Sequence, residues 1–130
     1  MAEVLFARHD EIAAHGIRDE LKRRGNNVTF VMKHDEAIAL LRERGFDAVI
    51  TGLAFGSMQV GGLVNVFQRG VDVVNAARMA GCQKIALTTS TPEFIKRYAP
   101  GANLDGVEVL DVSLGFRNGG LRQVLDKWGM

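Results

Sequence analysis

Five short apolar runs alternate along the chain with five amphipathic segments. The runs are Val4 to Ala7, Val28 to Met32, Ala48 to Thr51, Lys84 to Thr88 and Val107 to Val112. Each is short and mostly apolar, the pattern of a parallel strand covered on both faces. The segments between them repeat with helical period. Asp10 to Arg24 places Ile12, Ile17 and Leu21 on one side, and Gly25-Asn26-Asn27 stops it. His34 to Arg44 turns Ala37, Leu40 and Leu41 inward, carries Asp35 and Glu36 in its first turn, where the helix dipole favours acids, and stops at Gly45. Val71 to Ala80 turns Val73, Val74 and Ala77 inward and stops at Gly81. A short fourth helix is expected from Thr91-Pro92-Glu93, with Thr91 as cap and Pro92 at the first helical position. The last helix begins at Gly119 or Leu121 and ends at Trp128.

Strict alternation of strand and helix implies a parallel sheet with right-handed crossovers and helices on both faces. The expected fold class is α/β: a doubly wound, five-stranded parallel sheet in the flavodoxin-like order 2-1-3-4-5. With 130 residues the chain reads as one domain, 1–130, without a linker.

Composition narrows the function classes. A net charge of +1 gives no strong field for nucleic acid or an acidic membrane, so neither is an expected partner. The densest basic run, Lys22-Arg23-Arg24, falls at a helix C-terminus, where cations complement the dipole. Cys82 is the single cysteine; it excludes an internal disulfide and fits a reducing compartment. No apolar run approaches the roughly 20 residues of a membrane span. The first residues enter a strand at once, leaving no room for a signal peptide, so a cytoplasmic protein is expected.

Gly25-Asn26-Asn27-Val28-Thr29-Phe30-Val31, then Asp35 to Arg44, then Phe46-Asp47-Ala48-Val49-Ile50, resemble the second strand, second helix and third strand of the receiver domains of two-component response regulators. Arg69-Gly70-Val71-Asp72-Val73-Val74 is similar to the Gly-led start of that family's third helix, and Ile85-Ala86-Leu87-Thr88-Thr89 to its fourth strand. The resemblance covers essentially the whole chain. It implies a pocket with two adjacent acids after the first strand, a phospho-accepting Asp at the end of the third, a Thr or Ser after the fourth, and a Lys-Pro step after the fifth. In such a pocket the carboxylate is the nucleophile, while the metal and the Lys neutralise charge on the phosphoryl oxygens.

Matched to those motifs, the acid pair falls on Arg8 and His9, the acceptor on Gly52, and the Lys-Pro step near Ser113-Leu114-Gly115; only Thr88 fits its place. A glycine forms no acyl phosphate, and Arg8 repels the Mg²⁺ that carboxylates hold. The resemblance therefore implies a degenerate phosphorylation pocket of Arg8, His9, Gly52, Thr88 and Ser113, with no catalytic residue, metal or cofactor. Two readings of Arg8 and His9 stay open: an anion site beside the start of the first helix, or an Arg8–Asp10 pair with a solvated His9. His15 and His34 read as surface helix residues without paired ligands at metal spacing.

Gly52 and Gly70 lie 18 positions apart, longer than the family's spacing. The expectation is an extended loop at about 53–69, apolar through Phe55, Met58, Val60 and Phe67, with Leu63 to Phe67 as a helical turn. A loop that long in a compact domain is usually functional or disordered. It reads either as a lid over the vacated pocket or as a partner-binding or gating loop.

The reading that follows is a pseudo-receiver: a non-enzymatic domain that acts in signal transduction by protein–protein contact without aspartyl phosphorylation. Its expected partner is a kinase, a scaffold, an output protein or a second copy of itself. In the resembled family the face of helix four, strand five and helix five makes such contacts; here it uses Phe94, Arg97, Tyr98, Asp111 and Arg117. The alternative is a flavodoxin-like module that binds a small molecule or anion.

Overall fold

A computed structural model describes residues 2–55, 62–90, 92–99, 101–112 and 120–130, with only the backbone of residues 12, 13, 62–65 and 98. The elements alternate without exception: β1 (Glu3–Ala7), α1 (Glu11–Arg23), β2 (Asn27–Val31), α2 (His34–Glu43), β3 (Ala48–Gly52), α3 (Gly62–Met79), β4 (Lys84–Thr89), α4 (Phe94–Tyr98), β5 (Val107–Asp111) and α5 (Leu121–Trp128). All strand pairs are parallel and the order is β2-β1-β3-β4-β5, the expected doubly wound sheet.

Successive strand residues point to opposite faces, and this parity sorts the core into two layers. Leu5, Ala7, Val49, Ile85 and Leu87 pack against Ala37 and Leu41 of α2 and Val73, Val74 and Ala77 of α3. Val4, Phe6, Ala48, Ile50 and Ala86 pack against Ile17 and Leu21 of α1 and Leu121, Val124 and Leu125 of α5. Trp128 is half-buried against this second layer, and its carbonyl accepts a hydrogen bond from Lys84 Nζ at 3.0 Å. α1 ends in a closed cap: the Gly25 N–H donates to the Lys22 carbonyl at 2.9 Å and the Asn26 N–H to the Leu21 carbonyl at 3.1 Å. Gly25 sits at φ 86°, a left-handed conformation that glycine adopts without strain.

The basic run Lys22-Arg23-Arg24 ends in a network rather than in open solvent. Glu20, buried, ion-pairs with Arg23, with Arg24 at 3.5 Å and with Arg122 of α5 at 3.0 Å, while Arg24 also reaches Asp126 at 2.7 Å. α1 and α5 are thereby joined through charge as well as through apolar contact. The hydrogen bond from Arg23, with the positive charges of Arg23 and Arg122, holds the Glu20 carboxyl below the usual range against the opposing effect of desolvation.

Two expectations are corrected. α3 begins at Gly62, not at Val71, so residues 62–69 are helix and not loop. The tertiary contacts explain why. The Phe55 N–H donates to the Val66 carbonyl at 3.2 Å and the Gly70 N–H to the Leu53 carbonyl at 3.0 Å, stitching the chain after β3 to the first turns of α3. Gly70 lies inside the helix, where glycine costs roughly 1 kcal/mol relative to alanine. A Cβ there would lie 2.2 Å from the Leu53 carbonyl oxygen and 2.5 Å from that of Gly52, so only glycine lets the helix pass this close to the strand end. The second correction concerns α4. It starts at Phe94, after Glu93 in helical conformation and without a side-chain cap, and the Pro92 carbonyl accepts from the Ile95 N–H at 3.2 Å. Pro92 therefore precedes the helix instead of opening it, and Thr91 lies outside the described residues.

Gly70→Ala is expected to cost at least about 2 kcal/mol of unfolding free energy, because backbone, not a flexible side chain, must yield. Gly45→Ala, whose Cβ meets nothing within 4 Å, should stay within about 0.5 kcal/mol of the parent. Urea denaturation of both variants checks the contrast.

Glu20 gives a pH test. A carboxyl held low in the folded state contributes stability that is complete above its unfolded value of about 4.3 and is lost as pH falls through the folded value. Glu20→Gln should lower stability at neutral pH and flatten the loss seen on acidification below about pH 4.3. Denaturation midpoints measured across the acid range decide it.

Candidate functional site

The carboxyl ends of β1, β3 and β4 lie side by side. Ala7 pairs with Thr51, and Gly52 pairs with Thr88, which brings Arg8, Gly52 and Thr88 together at one edge of the sheet. Open parallel sheets place their binding crevices at such ends.

Arg8 occupies this place. Its backbone N–H continues the β1–β2 ladder to the Val31 carbonyl at 3.1 Å, which fixes where the side chain leaves the sheet. Its Nη1 donates to Thr88 Oγ1 at 2.9 Å. The Thr88 hydroxyl, 1% exposed, donates to the Thr51 carbonyl at 3.4 Å, while the Thr51 hydroxyl donates to the Gly52 carbonyl at 3.0 Å. Arg8 Nε is buried without a hydrogen-bond partner. Burial pushes the guanidinium pKa down and the nearby Asp10 charge pushes it up; the group stays protonated at neutral pH in either case. A cavity of about 250 Å³ opens beside it, bordered by Arg8, Gly52, Thr88, Ser90, Phe67 and Phe94.

Position 52 is not glycine for want of space. A Cβ there would meet the Ala7 carbonyl oxygen and Arg8 Cγ at 3.7 Å, which is ordinary van der Waals contact. The site lacks a carboxylate by residue identity and not by crowding.

The other expected site residues separate. His9 is exposed. Phe55 and Phe67 are 2% and 7% exposed, so neither offers a contact surface. Phe67 meets Phe94 of α4 edge-on, ring centres 5.8 Å apart, and both border the Arg8 cavity. On the face of α4 and β5, Arg97 and Asp111 are exposed and Phe94 is half-buried. Met58, Val60, Ser113 and Arg117, and the side chain of Tyr98, lie outside the described residues. The sequence reading missed Val109, 39% exposed on β5; an edge position in the predicted strand order was the signal that could have found it. Among the described residues no group of three or more His, Cys, Asp or Glu side chains is placed to hold a metal, and no helix is long and apolar enough to cross a membrane.

No protein-family model matches the chain, and no curated protein does. Solved structures do. The response regulator TrrA from Thermotoga maritima, in complex with Mg²⁺ and BeF, superposes with a TM-score of 0.70 at 17% identity, over 98% of this chain and 99% of that one. The receiver domain of a sensor histidine kinase from Pseudomonas aeruginosa PAO1, with magnesium coordinated in its active-site cleft, gives 0.67 at 14% identity over 99% and 98%. Full-length ShkA, in complex with AMPPNP, gives 0.64 at 26% identity over 99% of this chain, which spans 24% of that protein. The chain has the receiver fold.

The Arg8–Thr88 contact predicts an asymmetry. Thr88→Val strips the guanidinium of its acceptor and should cost about 1–3 kcal/mol. Arg8→Met removes one hydrogen bond together with a half-buried charge and should stay within about 1 kcal/mol of the parent. The double variant should be more stable than Thr88→Val alone. Chemical denaturation of the three variants measures this.

Proposed function

We propose that this chain is a receiver-fold signalling domain that works through protein contact and is not phosphorylated on an aspartate. One observation carries the reading: the position where the fold would present its acceptor is Gly52, and the Arg8 guanidinium reaches past it to Thr88. Forming an acyl phosphate needs a carboxylate nucleophile at that position. Holding Mg²⁺ needs oxygen ligands, usually one or two carboxylates, and a fixed cation in the pocket opposes it. Arg8 also holds the Thr88 hydroxyl, the group whose counterpart answers to a phosphoryl group in the resembled family. The domain then rests in one state, and its signal is a surface. The face bearing Arg97, Val109 and Asp111 is the proposed contact, with a kinase, scaffold or output protein of two-component signalling as partner and a second copy of the chain as the other occupant.

Incubation with acetyl phosphate and Mg²⁺ should leave the intact mass unchanged. A stable gain of one phosphoryl group on the protein overturns the reading.

A second reading, a module that binds an anion, draws on the unpartnered Arg8 Nε and the cavity beside it. It requires inorganic phosphate to raise the melting temperature of the parent and not that of Arg8→Met.

A further inference from the structure

A second and larger cleft lies on the other side of β1 from β3. It has a volume of about 570 Å³ and is bordered by His9, Met32, Lys33, His34, Phe55 and Arg69. Four separate stretches of chain build it: the turn after β1, the turn from β2 into α2, the segment after β3, and the first turns of α3. Its size falls within the range of small-molecule sites, roughly 300–1,000 Å³. Only His9 also borders the Arg8 cavity.

Its chemistry is one-sided. Lys33 and Arg69 bring two fixed positive charges, and His9 and His34 bring two imidazoles. Among the described residues one acid borders the cleft, Asp35, whose Oδ1 accepts the Glu36 N–H at 2.9 Å, so two cations stand against one carboxylate. Arg69 is held in place: Nη1 donates to the Phe55 carbonyl at 2.7 Å, leaving its remaining N–H groups for another acceptor. A guanidinium anchored by one bond loses less freedom when it makes a second. Lys33 is exposed and stands immediately before α2. The rest of the lining is apolar. Met32 is 45% exposed, and the His34 ring lies tilted 6.0 Å from that of Phe55.

We propose that this cleft binds a small organic phosphate: a phosphomonoester held by Lys33 and Arg69, with a ring or other apolar body resting on Met32 and His34. Charge-assisted hydrogen bonds to the phosphate oxygens supply the stronger contacts, and the apolar floor separates such a ligand from free phosphate, which is too small to reach both. The proposal does not rest on whether the domain is phosphorylated, so a phospho-adduct at another residue would leave it standing.

The test is a titration of the full chain followed by amide shifts in ¹H–¹⁵N spectra, with phenyl phosphate, inorganic phosphate and phenol as separate probes. Phenyl phosphate should shift the amides of Lys33, His34, Asp35 and Arg69 saturably. It should bind about ten-fold or more tightly than either of the other probes, and Lys33→Ala should weaken it about ten-fold, the worth of one charge-assisted bond. Lys33 makes no side-chain bond in the fold, so that variant keeps its structure. Met79→Ala, altering a residue 90% exposed on α3, should bind like the parent. The proposal fails if phenyl phosphate does not saturate below about 10 mM. It also fails if inorganic phosphate binds equally well, if Lys33→Ala changes nothing, or if the shifts gather at Arg8, Thr88 and Ser90.

Discussion

A helix can run directly over the end of β3 only because residue 70 carries no side chain. The Leu53 carbonyl accepts the Gly70 N–H at 3.0 Å, in the space that a Cβ would fill. From that contact the first turns of α3 take their place. Val66 closes on the Phe55 N–H, Phe67 lies against Phe94, and Arg69 meets the Phe55 carbonyl. The wall of the Arg8 cavity and one wall of the larger cleft are therefore set by a single close approach of backbone to backbone. The entropic cost of glycine inside a helix is offset by the burial of Val66, Phe67 and Phe55 that this approach allows.

The Arg8 site shows what the frame of parallel strand ends holds in this chain. Parallel pairing of β1, β3 and β4 brings three strand ends together whatever residues they carry. With carboxylates there, such a frame concentrates negative charge and draws a divalent cation. With Arg8 there, the cation is covalently part of the chain and already bonded to Thr88. What remains is a fixed hydrogen-bond chain from Arg8 through Thr88 to the Thr51 carbonyl, capped by the Phe67–Phe94 pair.

The two ends of charge in the molecule behave differently for the same reason, which is the supply of partners. The basic run at the end of α1 is met by Glu20 and Asp126 and becomes a joint between α1 and α5. Around the larger cleft the cations outnumber the single engaged acid. A surplus of positive charge over negative favours an anion from outside.

The strand order, the two-faced burial and the inward residues Ile17 and Leu21 of α1, Ala37 and Leu41 of α2, and Val73, Val74 and Ala77 of α3 were legible in the sequence. They follow from period and parity, which are local. Gly52 in place of an acid was legible too, because residue identity at a strand end needs no geometry beyond the strand count. The extension of α3 was not: Gly70 reads locally as the start of the helix, and the contacts that dock residues 62–69 against the sheet come from Leu53 and Phe55, outside the helix. Phe55 and Phe67 read as an apolar surface for the same reason, since burial depends on what covers a residue. Arg8 and Thr88, which bond, and Lys33 and Arg69, which line one cleft, are far apart along the chain and are brought to their places by the crossing of elements. The sequence by itself determined the sheet, the faces of its first three helices and the glycine at the end of β3. Only the tertiary structure decided where the positive charges gather, because charge acts through space and the chain alone does not say which side chains share it.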